Sequence, residues 1–114
     1  MSKATKIIKL GGMAYFEKHL EILAAILPVK ITAAERRLLA AFMFFDSEDL
    51  SDFHSRQKVR RLLTLSSSSL SSSIAQLKQK GIIMEKDGAL AIFPLILPDK
   101  QTQEYQFRLE KCYT

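Results

Sequence analysis

At Gly81 the hydrophobic period of this chain switches from that of a helix to that of a strand, and no other feature limits its fold as much. Before the switch, Leu70, Ile74 and Leu77 are spaced four and three, the buried face of a helix over about 67–80. Gly81 suits the left-handed position just past a helix end, and Ile82 is placed to close over the last turn. Beyond it, the apolar runs 82–86 and 89–93 flank Asp87-Gly88, a strong two-residue hairpin signal. A helix that feeds directly into a tight hairpin is the nucleus of an α+β fold.

Upstream the pattern is helical throughout. Met13, Phe16, Leu20, Leu23 and Leu27 form one apolar stripe, so a first helix is expected over 13–27, stopped by Pro28. Residues Lys6–Leu10, ahead of Gly11-Gly12, read as a short extended arm or strand. Thr32 followed by Glu35 is a capping box that opens a second helix, with Ala34, Leu38, Ala41, Phe42 and Phe45 on one face. The acidic stretch 46–52 reads as a loop. Ser55 is the expected cap of a third, short helix through Leu63, with Val59, Leu62 and Leu63 turned inward. Thr64-Leu65-Ser66 then makes a tight connection to helix 67–80. After the hairpin, Pro94 and Pro98 bound an apolar segment, and the alternation of Tyr105, Phe107 and Leu109 predicts a last strand at about 104–110. The whole is expected to be one domain, α+β and mainly α, with its core at about 32–93.

Composition limits the functional classes. Apolar residues make up 47% and charged residues 25% of the 114, ordinary for a packed globular domain and too apolar for wholesale disorder. The net charge of +5 is unevenly spread: residues 54–86 hold seven Lys or Arg and one Glu, whereas 31–53 hold two Arg and five acids. Such a concentration points to a polyanionic partner. No stretch approaches the roughly 20 apolar residues of a membrane span. Charges at Glu17, Lys18 and Glu21 break the first apolar run, so no signal peptide is expected. The single cysteine, Cys112, has no internal partner, and a reduced, cytoplasmic chain is the expectation.

Helix, helix, tight turn, helix and hairpin is the element order of a winged helix-turn-helix. The segment Val59–Ile83, VRRLLTLSSSSLSSSIAQLKQKGII, resembles that DNA-binding superfamily, and most of all small bacterial or phage regulators of the MarR-like kind. The resemblance covers about 32–93 and leaves the first helix and the tail outside it. It implies that helix 67–80 reads the major groove of double-stranded DNA, that the hairpin is a wing, and that Lys86 near its tip touches backbone or minor groove.

The residues themselves suit that role. Opposite Leu70, Ile74 and Leu77, the helix carries Ser68, Ser69, Ser72, Ala75, Gln76 and Gln79, with Lys78 and Lys80 flanking them. Small side chains let a helix sink into the groove, serines donate to phosphates or bases, and Gln can bond adenine bidentately. Free N–H groups at the helix start, around Ser67, favour a phosphate. Arg56, Lys58, Arg60 and Arg61 on the preceding helix are the expected backbone grip. Three plainer alternatives stay open: seven serines within 66–73 suit a flexible linker, the cations suit a merely solvated face, and the hairpin suits a simple cover for the core with Lys86 as a solubilising charge.

Nothing in the sequence suggests catalysis, a metal or a cofactor. His19 sits between Glu17 and Glu21, an exposed setting, and His54 precedes a helix cap; neither has a ligand partner at metal spacing. Gly11-Gly12 lacks a phosphate-binding pattern, and the acids of 46–52 lack the spacing and glycine of a calcium loop. The expected function is therefore a small transcriptional regulator. A winged helix docking proteins in a transcription or replication assembly, with Phe93–Leu97 as its edge, is the alternative, as is phage or plasmid replication initiation. The first helix and the last strand are the expected seams of a homodimer.

Overall fold

A computed structural model describes residues 5–27, 30–99, 101–106 and 108–112. Four helices and one hairpin follow in chain order: α1 (Met13–Ile26), α2 (Ala33–Phe44), α3 (Phe53–Leu63), α4 (Ser67–Gln79), β1 (Ile83–Lys86) and β2 (Ala89–Ile92), then a single 3-10 turn at Pro94–Ile96. The protein is α+β and mainly helical.

Each boundary has a local cause. The capping box forms as the sequence predicts: Glu35 N–H donates to Thr32 Oγ1 at 3.1 Å and Thr32 N–H to Glu35 Oε1 at 2.9 Å. The cap of α3 is Asp52 and not Ser55. Asp52 accepts the N–H of Ser55 at 3.0 Å, and a carboxylate outdoes a hydroxyl at the positive end of a helix. Thr64 closes α3 in the left-handed conformation (φ 56°, ψ 54°), a strained choice for a β-branched residue. Ser66 caps α4 through Ser69 N–H. At the far end Ile82 N–H reaches Leu77 O and Gly81 N–H reaches Lys78 O, the paired bonds of a glycine-closed helix, with Gly81 at φ 78°. Asp87 and Gly88 both have positive φ, so the hairpin turn is type I′, with Ile83 opposite Ile92 and Lys86 opposite Ala89.

The core joins the fully buried Leu20, Leu38, Leu39, Phe42, Val59, Leu70 and Leu77 with Leu50 and the hairpin's Ile83 and Ile92. Phe16, Leu23 and Leu27 are partly buried and pack against it, so the stripe of α1 contributes to this chain's own core. Leu62 is 44% exposed, because Val59 and Leu63 already take the inner arc of α3. Ala34 is exposed too, in the first turn of α2 ahead of the buried arc.

Leu50 N–H donates to Leu90 O at 2.8 Å and Asp49 Oδ1 accepts Leu90 N–H at 3.0 Å, so the acidic loop is sewn to the outer edge of β2. The predicted strand at 104–110 does not form among the described residues, and Phe107 lies outside them, as does Pro28. Ile96, Asp99 and Tyr105 instead meet α1, the first and last at His19, while Tyr15 donates to Asp99 O at 2.7 Å. Among the described residues no helix is long and apolar enough to cross a membrane.

Candidate nucleic-acid interface

The pairing of α3 with α4 makes a shallow cleft of about 230 Å³ at the start of α4, lined by Ser51, Phe53, Arg56, Gln57, Arg60 and Ser67 over a floor of Leu70. Arg56 and Arg60 are four apart and reach the same cleft. Their Nε groups are tied to carbonyls, Arg56 to Leu50 O at 2.8 Å and Arg60 to Leu65 O at 3.3 Å. Arg56 Nη1 also lies 3.4 Å from Ser71 Oγ. Two guanidinium heads are thus held in place at the amino end of α4, where helix N–H groups add positive potential.

The outer face of α4 matches the sequence expectation. Ser67, Ser68, Ser69, Ser72, Ala75, Gln76, Lys78 and Gln79 are exposed, while Leu70, Ile74 and Leu77 are buried. Seven serines in eight positions therefore belong to an ordered, capped helix and not to a linker. Ser66 bonds the hydroxyls of Ser68 and Ser69, which restrains both near the amino end.

The remaining cations do not share one surface. Arg61 and Lys58 are exposed on α3, but Lys58 lies on the side facing α2, its Nζ 5.9 Å from the Phe45 ring centroid. Lys78 pairs with Glu85 of β1 at 3.5 Å, a solvent-exposed bridge. Lys80 turns from the outer face to the start of α2, where its Nζ donates to Glu35 Oε1 at 2.7 Å and to Lys30 O at 2.9 Å. Lys86 is exposed next to the hairpin tip.

Three groups that the sequence reading underrated prove to be fixed partners. Glu35 is buried. Burial pushes its carboxyl upward, but the hydrogen bonds from Lys80 and Thr32 prevail and hold it below the usual range. Asp49 accepts from the Ser51 hydroxyl, Leu90 N–H and Ser51 N–H, and these bonds lower its carboxyl. His19, expected to be exposed, is 4% exposed. Its Nε2–H donates to Ile96 O at 2.6 Å, which leaves Nδ1 to accept the Tyr105 hydroxyl at 2.5 Å. Burial depresses its pKa and the Ile96 carbonyl offsets part of that. Tyr105 is raised by burial and by Tyr15 nearby. The capping box marks Glu35 locally, but no local pattern marks its tie to Lys80 or those of His19 to Ile96 and Tyr105, whose partners lie 45 to 86 positions away.

No protein-family model, curated protein or solved structure matches this chain. Among the described residues no three His, Cys, Asp or Glu side chains gather as a metal site would need.

Proposed function

We propose that this protein binds double-stranded DNA as a small winged-helix regulator, with α4 in the major groove and the β1–β2 hairpin as the wing. The observation that carries the reading is the exposed face of α4: small hydroxyl residues at its amino half, then Gln76 and Gln79, beside Arg56 and Arg60 held in the adjoining cleft. A helix with such a face can approach base edges closely, and the arginines can fix it on the phosphates. Arg61 on α3 and Lys86 next to the hairpin tip are further exposed cations.

The test is fluorescence anisotropy of a labelled mixed-sequence duplex at about 50 and 200 mM salt. Binding that weakens steeply between the two supports the reading. No binding at the lower salt overturns it. The outcome would then favour the second reading, a protein-docking winged helix, for which the exposed Phe93, Leu95 and Leu97 beyond the hairpin are the specific support. Replication initiation in a phage or plasmid uses the same DNA surface and is separated from transcription only by the site selected.

A further inference from the structure

A larger hollow, of about 450 Å³, lies between the tail, β2 and the ends of α1 and α2. Its walls include Phe16, Phe44, Ile92 and Leu97, and its rim carries Asp46 and Glu48. It is an apolar groove with an acidic mouth.

The arm at residues 5–10 has the opposite character. It has no regular structure, every residue of it is exposed, and Ile7, Ile8 and Leu10 alternate with Lys6 and Lys9. Ile7 is 79% and Ile8 56% exposed, an unusual expense of aliphatic surface for one short segment. The arm is joined to α1 through Gly11-Gly12, and Gly12 stands at the groove: a Cβ there would lie 3.7 Å from the Phe44 ring.

We propose that this groove receives residues 6–10 of a second copy of the chain, in a reciprocal exchange of arms about a two-fold axis. The aliphatic side chains of the arm fill the apolar floor, and Lys6 and Lys9 meet the acidic rim. The geometry closes on itself because each arm leaves its own chain at the mouth of the groove. Two mouths brought face to face place each arm's root beside the other's seat, as an isologous contact requires. Five extended residues reach about 17 Å, enough to cross from one mouth into the other. The interface takes only Phe16 from the stripe of α1 and nothing from the outer face of α4, so it does not depend on the DNA-binding reading.

Two arms of this length bury less than a standard interface, so a dimer in the micromolar range is expected. Sedimentation equilibrium of the full chain from about 5 to 200 µM tests it. The wild type is expected to dimerise, and the double variant I7S/I8S to associate about tenfold or more weakly, with the same thermal melt as wild type at concentrations where both are monomeric, because the arm lies outside the monomer core. Glu48→Lys is expected to weaken the dimer, and K6E/K9E in the same chain to restore it. A wild type that stays monomeric over the whole range overturns the proposal, whether the groove then holds its own arm or a small molecule. So does a dimer that I7S/I8S leaves unchanged. If Glu48→Lys has no effect on the association, the groove is not the seat of the arm.

Discussion

Lys80→Met separates a structural tie from a DNA contact at the end of α4. Lys80 Nζ sits 2.7 Å from Glu35 Oε1, the Glu35 side chain is 4% exposed and the Lys80 side chain 31%. A hydrogen bond to a charged group contributes about 1.5–3 kcal/mol. Two corrections then act in opposite directions. Lys80 keeps access to water, which lowers the value of the bond, while the substitution leaves a buried carboxylate whose Oε2 already has no partner among the described residues. A loss of about 2 kcal/mol at pH 7 follows, or about 8 °C in Tm for a chain of this size.

The pH dependence carries the sharper test. In the wild type the folded-state pKa of Glu35 is lowered, so its stabilisation is present above the unfolded pKa of about 4.3 and is lost as pH falls through the folded value. Without Lys80, burial would raise that pKa, and protonation would relieve the variant before it affects the wild type. The stability gap should therefore narrow as pH falls from 7 to about 4. Urea unfolding followed by circular dichroism at both pH values measures it. A gap under about 0.5 kcal/mol at pH 7, or one that is equal at both pH values, refutes the reasoning. So would a fall of about one in the salt slope of DNA binding, which would return Lys80 to the phosphates.

Gln76→Ala should relax sequence preference by about 1–3 kcal/mol of discrimination at one base pair, with the melt unchanged; equal loss on every sequence, measured by competition anisotropy, would contradict a base contact. Thr64→Gly should raise Tm by a few degrees, since relief of the left-handed strain, about 1–2 kcal/mol, exceeds the roughly 0.5–1 kcal/mol that glycine costs in the unfolded chain; a lower Tm would mean that the Thr64 side chain stabilises the turn. His19 has a depressed folded pKa, so its contribution is complete above about pH 6.5 and is lost as pH falls through the folded value. His19→Gln should flatten the stability profile between about pH 7 and 5, and an NMR titration placing His19 above its ordinary pKa would exclude that account.

What was legible in the sequence was what is decided within a turn or two of chain. Thr32 and Glu35 satisfy each other's N–H groups across three residues, Gly81 closes α4 from the next position, and Asp87-Gly88 sets the hairpin without reference to anything distant. The face of α4 was legible for the same reason, since helical spacing alone separates Leu70, Ile74 and Leu77 from the serines and glutamines. Inference failed where a long-range partner decides. His19 looks exposed beside Glu17 and Glu21, yet the tail folds back and buries it. The alternation at 105–109 suggests a strand, but alternation makes a strand only when an edge is offered; Tyr105 is used against His19 of α1 instead, and Leu109 is fully exposed. The seven cations of 54–86 were legible as a cluster in sequence, whereas their dispersal over three surfaces is a tertiary fact.

That dispersal has a measurable consequence. If all seven cations of 54–86 met phosphates, the slope of log K against log salt would be about −6, at −0.9 per contact, and a fourfold rise in salt would cost roughly 6,000-fold in affinity. The structure removes three of them. Lys80 is committed to Glu35 and Lys30, Lys58 lies over Phe45 on the side facing α2, and Glu85 offsets Lys78. Arg56, Arg60, Arg61 and Lys86 remain, so each protomer should give a slope of about −3.6 and lose roughly 150-fold between 50 and 200 mM salt. Anisotropy on a duplex short enough for one protomer distinguishes the two regimes without knowledge of the preferred sequence. A slope near −6 would mean that DNA also engages Lys58 and draws Lys78 and Lys80 out of their ion pairs; one shallower than about −2 would mean that the cleft arginines stay on their carbonyls and do not grip the backbone.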